Sequence, residues 1–108
     1  MESWAMNEFK VEISQRAFTS IQEHVAFLVR VSLEAAKTLY EETMSSLRSL
    51  SRIPERNPEI QQLQIGESRV RKMTIGRGRY AVLYKIKGDQ VVIYDVIDTR
   101  KDGILNHL

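Results

Sequence analysis

Residues 69–98 read R-V-R-K-M-T-I-G-R-G-R-Y-A-V-L-Y-K-I-K-G-D-Q-V-V-I-Y-D-V-I-D, and this stretch decides the fold. It divides into three runs with the two-residue period of β-strands: Arg69–Ile75, Arg79–Lys87 and Val91–Ile97. Gly76-Arg77-Gly78 separates the first two, and Lys87-Gly88-Asp89-Gln90 separates the last two. Glycine supplies the positive φ that such tight turns need. Turns this short make neighbouring strands antiparallel. In the middle run Tyr80, Val82, Tyr84 and Ile86 share one face, and Ala81, Leu83, Lys85 and Lys87 share the other. One of these faces is expected to pack on the helices and the other to be at least partly wet.

Upstream, Phe9–Ile13 (F-K-V-E-I) alternates apolar and charged residues, the pattern of a half-buried strand. Ser14 is a suitable N-cap, and Arg16–Val31 then repeats apolar residues at helical spacing: Ala17, Phe18, Ile21, Val25, Leu28 and Val29. Ser32 caps a second helix with a stripe of Ala36, Leu39, Tyr40, Met44, Leu47 and Leu50. That helix ends before Pro54, because the residue ahead of a proline avoids helical geometry. The connection between the helices is so short that they must form an antiparallel hairpin. Residues 53–68 hold both prolines and read as a loop, with Ile60, Leu63 and Ile65 tucked against the core. The order is β-α-α-β-β-β, an α+β domain with the helix hairpin packed on an antiparallel sheet. At 108 residues the chain is expected to form one domain, with residues 1–7 and 103–108 loose.

Composition narrows the function classes. There is no cysteine, which excludes disulfides and thiolate metal sites and fits a cytoplasmic setting. No run approaches the ~18 apolar residues of a membrane span, and the N-terminus lacks the basic and apolar regions of a signal peptide. The two histidines lie far apart and the acids do not cluster at ligand spacing, so no metal and no small-molecule cofactor is expected. Net charge is +2, unevenly spread: residues 1–60 hold seven Lys/Arg and nine Asp/Glu, residues 61–108 nine and five. Arg69, Arg71, Lys72, Arg77 and Arg79 fall between Ser68 and Tyr80 without an acid among them. Such a cluster suits a polyanionic or acidic partner, and equally a solvated sheet face.

In order and spacing, these segments resemble the RelE/ParE superfamily of toxins from type II toxin–antitoxin modules, over about residues 9–102. K-V-E-I-S (10–14) followed by a helix resembles the family's opening, Leu50 and Pro54 match its L-x-x-x-P region, and Arg71-Lys72-Met73 is similar to its R-K-L strand. Y-A-V-L-Y-K-I-K-G-D-Q-V-V-I (80–93) follows a pattern close to Y-R-V-L-Y-x-V-x-x-D-x-V-x-I, and D-T-R-K-D (98–102) stands where the family has H-x-R-R. The resemblance implies a bacterial toxin neutralised by a cognate antitoxin whose C-terminal segment wraps it. It also implies one of two targets: DNA gyrase, as in the ParE branch, or messenger RNA cut on the ribosome, as in the RelE branch. An inactive relative that only binds is a third possibility.

One departure separates the branches. Ala81 occupies the position of an arginine that contributes to catalysis in ribonuclease members, and Arg79 lies two residues earlier with the same face parity. If the ribonuclease branch applied, Arg71, Arg79 and Arg100 would be the catalytic candidates, and an arginine restored at 81 would raise cleavage. Residues for binding target or nucleic acid are Arg69, Arg71, Lys72, Arg77, Arg79 and Lys101, although alternation divides them between faces. Cleaving RNA also needs acid–base groups, and these are scarce: His24 reads as helix surface or packing, His107 as tail or terminal acid, and Tyr84 and Tyr94 as packing residues. With few acid–base groups and a long helix hairpin, the ParE-like reading is preferred.

Overall fold

A computed structural model of the chain describes residues 8–100. The expectations for 1–7 and 103–108, and those for Lys101 and His107, lie outside the described residues. Strand β1 (Lys10–Ile13) leads into helix α1 (Gln15–Val29) and then helix α2 (Leu33–Ser49). Both helices start where serine allows. Ser14 Oγ accepts from Ala17 N at 3.0 Å and Ser32 Oγ from Ala35 N at 3.1 Å. Helix α1 stops at Val29 because its end tightens: Val31 N and Ser32 N both donate to Leu28 O.

The sheet continues with β2 (Glu59–Ile65), β3 (Ser68–Ile75), β4 (Tyr80–Lys87) and β5 (Gln90–Asp98). Strand order is β1-β5-β4-β3-β2, with β1 parallel to β5 and every other pair antiparallel. The helix hairpin is the crossover that lets the first strand run parallel to the last. Residues 53–68 are therefore not simply a loop. Pro54–Arg56 forms a 3-10 turn and Glu59–Ile65 a fifth strand, giving β-α-α-β-β-β-β. Its apolar positions, 60, 63 and 65, break strict alternation because the register with β3 shifts between Glu59 and Gln64. Such an irregularity adds residues to one strand and spoils the two-residue period.

Two apolar clusters form, one on each side of the sheet. The larger unites Ala17 and Ile21 of α1, Leu39, Leu47 and Leu50 around α2, and the sheet face of Met73, Val82, Tyr84 and Ile93. Tyr40, expected in the α2 stripe, is half exposed, and Thr43 is buried instead with its hydroxyl donating to Leu39 O at 2.7 Å. The smaller cluster is Val70, Ala81, Leu83 and Ile97, packed against Ile60, Leu63, Ile65 and Tyr94. The three residues expected to tuck inward do so, but they cover the face opposite the helices. Each fully buried Val or Leu there contributes roughly 1.5–3 kcal/mol.

Candidate functional site

The predicted basic residues separate into three places. Arg71 lies toward the β2 end of the sheet, on the helix-side face, opposite Tyr84. Its Nη1 donates to the carbonyls of Glu55 (3.0 Å) and Asn57 (2.6 Å), and its Nη2 approaches Glu59 Oε2 at 3.4 Å. The Tyr84 hydroxyl donates to Pro54 O at 2.6 Å and accepts from Asn57 Nδ2 at 3.0 Å. Together they pin the turn before β2. Burial pushes the Tyr84 phenol above its ordinary pKa, against the smaller opposing effect of the Asn57 hydrogen bond. Arg69 is exposed and donates to Gln61 O across the same strand pair. Lys72 points the other way, with Val70, on the face remote from the helices.

Arg77 and Arg79 stand in the β3–β4 turn, where Gly76, Arg77 and Gly78 all have positive φ. Glu42 of α2 accepts from Gly76 N at 3.0 Å and ties this turn to the hairpin. A Cβ at Gly76 would come within 3.1 Å of the Tyr80 ring, so both backbone conformation and space require glycine here. The turn forms one wall of a groove of about 560 Å³. Its apolar lining includes Leu28, Ala35, Leu39 and Tyr80, with Glu34 and Glu42 contributed by α2 and Arg77 and Arg79 by the turn.

Arg100 approaches from the end of β5. Thr99 N donates to Arg79 O at 2.8 Å, so the chain before Arg100 runs beside Arg79. Arg100 Nε lies 3.4 Å from Asp98 Oδ1. Burial raises the Tyr80 phenol and the Asp98 charge adds to it, while Arg100 and Arg79 pull it back down. Of the three catalytic candidates, Arg79 and Arg100 are therefore brought together beside Tyr80. Arg71 pairs four residues further along the sheet, roughly 13 Å away at strand spacing.

A polar seam between α1 and β5 is not apparent from the periodicity of the sequence. The register of β4 with β5 slips by one residue between Leu83 and Tyr84, and this bulge re-aims Asp95 toward α1. Ser20 Oγ donates to Asp95 Oδ1 at 2.5 Å and Arg16 Nε to Oδ2 at 3.2 Å. That hydrogen bond to Asp95 is the main reason the Arg16 guanidinium holds its proton even more firmly than usual. His24 Nε2 lies 2.7 Å from Val96 O, with its ring 5.1 Å from that of Tyr80. Ser14 Oγ donates to Tyr94 O at 2.9 Å. Beyond β1, the free edge of β5 is thus covered by side chains, which blocks strand addition there. The D-V-I-D run, with acids in an apolar strand, was the signal for this seam.

The position that bears most on chemistry is Ala81. It is 0% exposed and sits in the smaller cluster with Val70, Leu83 and Ile97. Among the described residues no three His, Asp or Glu side chains gather as metal ligands, and no helix is long and apolar enough to cross a membrane.

A helix hairpin crossing over a sheet whose first strand runs parallel to its last, with a basic turn facing the hairpin, defines a RelE/ParE-type toxin fold. The model of the family described as the ParE toxin of the type II toxin–antitoxin system parDE matches residues 11–103, and the chain belongs to that family. The chain is also similar to a solved structure described as the chromosomal ParDE toxin–antitoxin system from P. aeruginosa. The TM-score is 0.68 at 14% identity, over 85% of this chain and 97% of that one, a likeness of fold. No curated protein matches the sequence.

Proposed function

We propose that this toxin arrests growth by binding DNA gyrase, without cutting RNA. The observation that carries the reading is the burial of Ala81. Where the resemblance places a catalytic arginine, the chain has a small side chain sealed inside an apolar cluster. RNA cleavage needs the 2′-hydroxyl activated, the phosphorane charge stabilised and the leaving oxygen protonated. Arg71 is committed to backbone carbonyls of the turn before β2, and Arg100 turns its Nε toward Asp98 at 3.4 Å. A guanidinium so engaged has fewer donors left for a phosphate.

Family membership implies a cognate antitoxin as partner. Its seat in this reading is the groove between the hairpin and the β3–β4 turn. An apolar floor with carboxylates on one wall and guanidinium groups on the other suits an amphipathic helix laid in the groove. Two assays divide the possibilities. Purified toxin should inhibit supercoiling by gyrase, and primer extension in a translating extract should show no new message ends. New cuts in the extract with gyrase unaffected would instead establish the ribosome-dependent endoribonuclease.

A further inference from the structure

The sheet face remote from the helices is divided into an apolar half and a basic half. The apolar half is the smaller cluster, covered by β2. The basic half is set by strand parity. Val11, Met73, Ile86, Val91 and Ile93 all belong to the larger, helix-side cluster. Lys10, Lys72, Lys85 and Lys87 therefore face the opposite way. Lys10 lies opposite Gln90, and Gln90 opposite Lys87, in one cross-strand row. Lys85 is two residues from Lys87 on the same face, and Lys72 pairs with Leu83, one step further along. The four ammonium groups form a diagonal stripe from β1 to β3, about 14 Å wide at the usual strand spacing. Lys10 and Lys87 are exposed, while Lys72 and Lys85 are half-buried, their stems lying on the sheet. Glu12, opposite Val92, is the acid on this part of the face, and Asp89 is exposed in the β4–β5 turn.

We propose that this half of the face binds the phosphate backbone of duplex DNA without reading sequence. Three features select that occupant. The charges are lysines, compact point charges suited to phosphates, not guanidinium forks that read base edges. Tyr94 packs on the apolar cluster of this face with the Arg16 guanidinium 5.2 Å from its ring centroid, so it offers no free platform for stacking an unpaired base. The stripe also spans strands on the side away from the groove, so it can be occupied while a protein partner fills the groove. The proposal does not depend on gyrase being the target.

Fluorescence anisotropy of the whole chain with a labelled mixed-sequence duplex of about 20 base pairs tests it. Four lysine–phosphate contacts predict a slope of about −3.6 in log affinity against log salt, hence a loss of roughly 150-fold between ~50 and ~200 mM salt. Lys10→Glu/Lys85→Glu/Lys87→Glu should weaken binding at ~50 mM salt at least ~10-fold and flatten the slope by about 2.7. The corresponding triple glutamine variant, which adds no new acid, should flatten the slope equally, and gyrase inhibition is read separately. The proposal is overturned if the parent chain fails to bind duplex at the lower salt, if the triple variants bind with an unchanged slope, or if polyglutamate of equal charge binds the chain more tightly than the duplex does. The last result would make an acidic polypeptide the occupant.

Discussion

Replacing Ala81 by arginine is the most informative single change, because two accounts of the protein predict opposite results. If the position opened onto a nucleic-acid site, the new guanidinium would add to catalysis. In the structure Ala81 is 0% exposed, with Val70 and Leu83 also at 0% and Ile97 at 4% around it. The longer side chain must displace these neighbours, and overpacking of this kind costs about 1–3 kcal/mol. Its charge would either stay inside, at a cost of several kcal/mol, or drag the side chain out by opening the cover that Ile60, Leu63 and Ile65 provide. A loss of ~3 kcal/mol or more follows. In a domain of this size that lowers Tm by roughly 10–20 °C. Thermal unfolding followed by circular dichroism reads it directly, with Ala81→Ser as a control expected to fall by much less. An arginine variant that melts within ~2 °C of the parent, or that gains messenger RNA cleavage, would show that position 81 opens onto the surface and is not sealed in the cluster.

Removing the Tyr84 hydroxyl with phenylalanine leaves Pro54 O and Asn57 Nδ2 without their partner and should cost about 1–3 kcal/mol in chemical denaturation. The same residue sets an alkaline limit. Its folded pKa is raised above the ordinary 10.0, so the unfolded chain loses that proton first. Its contribution is full below pH 10 and is lost as pH rises through the folded value, and Tyr84→Phe should shallow that decline. Ser14→Ala removes both the cap on Ala17 N and the bond to Tyr94 O, and should cost about 1–2 kcal/mol in the same unfolding measurement.

Most of the fold was legible because its determinants are local. Ser14 and Ser32 announce their helices, Gly76 and Gly88 their turns, and the alternation of 80–87 its strand. Strand β2 was not legible, because its pairing with β3 slips and two prolines stand ahead of it. The parallel pairing of β1 with β5 is a long-range contact that no local pattern encodes. Among the site residues, the sequence marked Arg71 as basic and strand-borne. It could not show that the guanidinium would be taken up by the carbonyls of Glu55 and Asn57, two segments earlier. Ala81 departs from the family pattern, but its burial depends on β2, whose irregular spacing hides it in the sequence. Asp95 is not legible from alternation, because a bulge decides which way it points.

The central claim, inhibition of gyrase by binding, is tested most directly by titrating purified toxin into a supercoiling reaction with relaxed plasmid and gyrase. Supercoiled product should be lost in a dose-dependent way, and the cognate antitoxin should reverse that loss. Unchanged supercoiling at toxin in large excess over gyrase would contradict it.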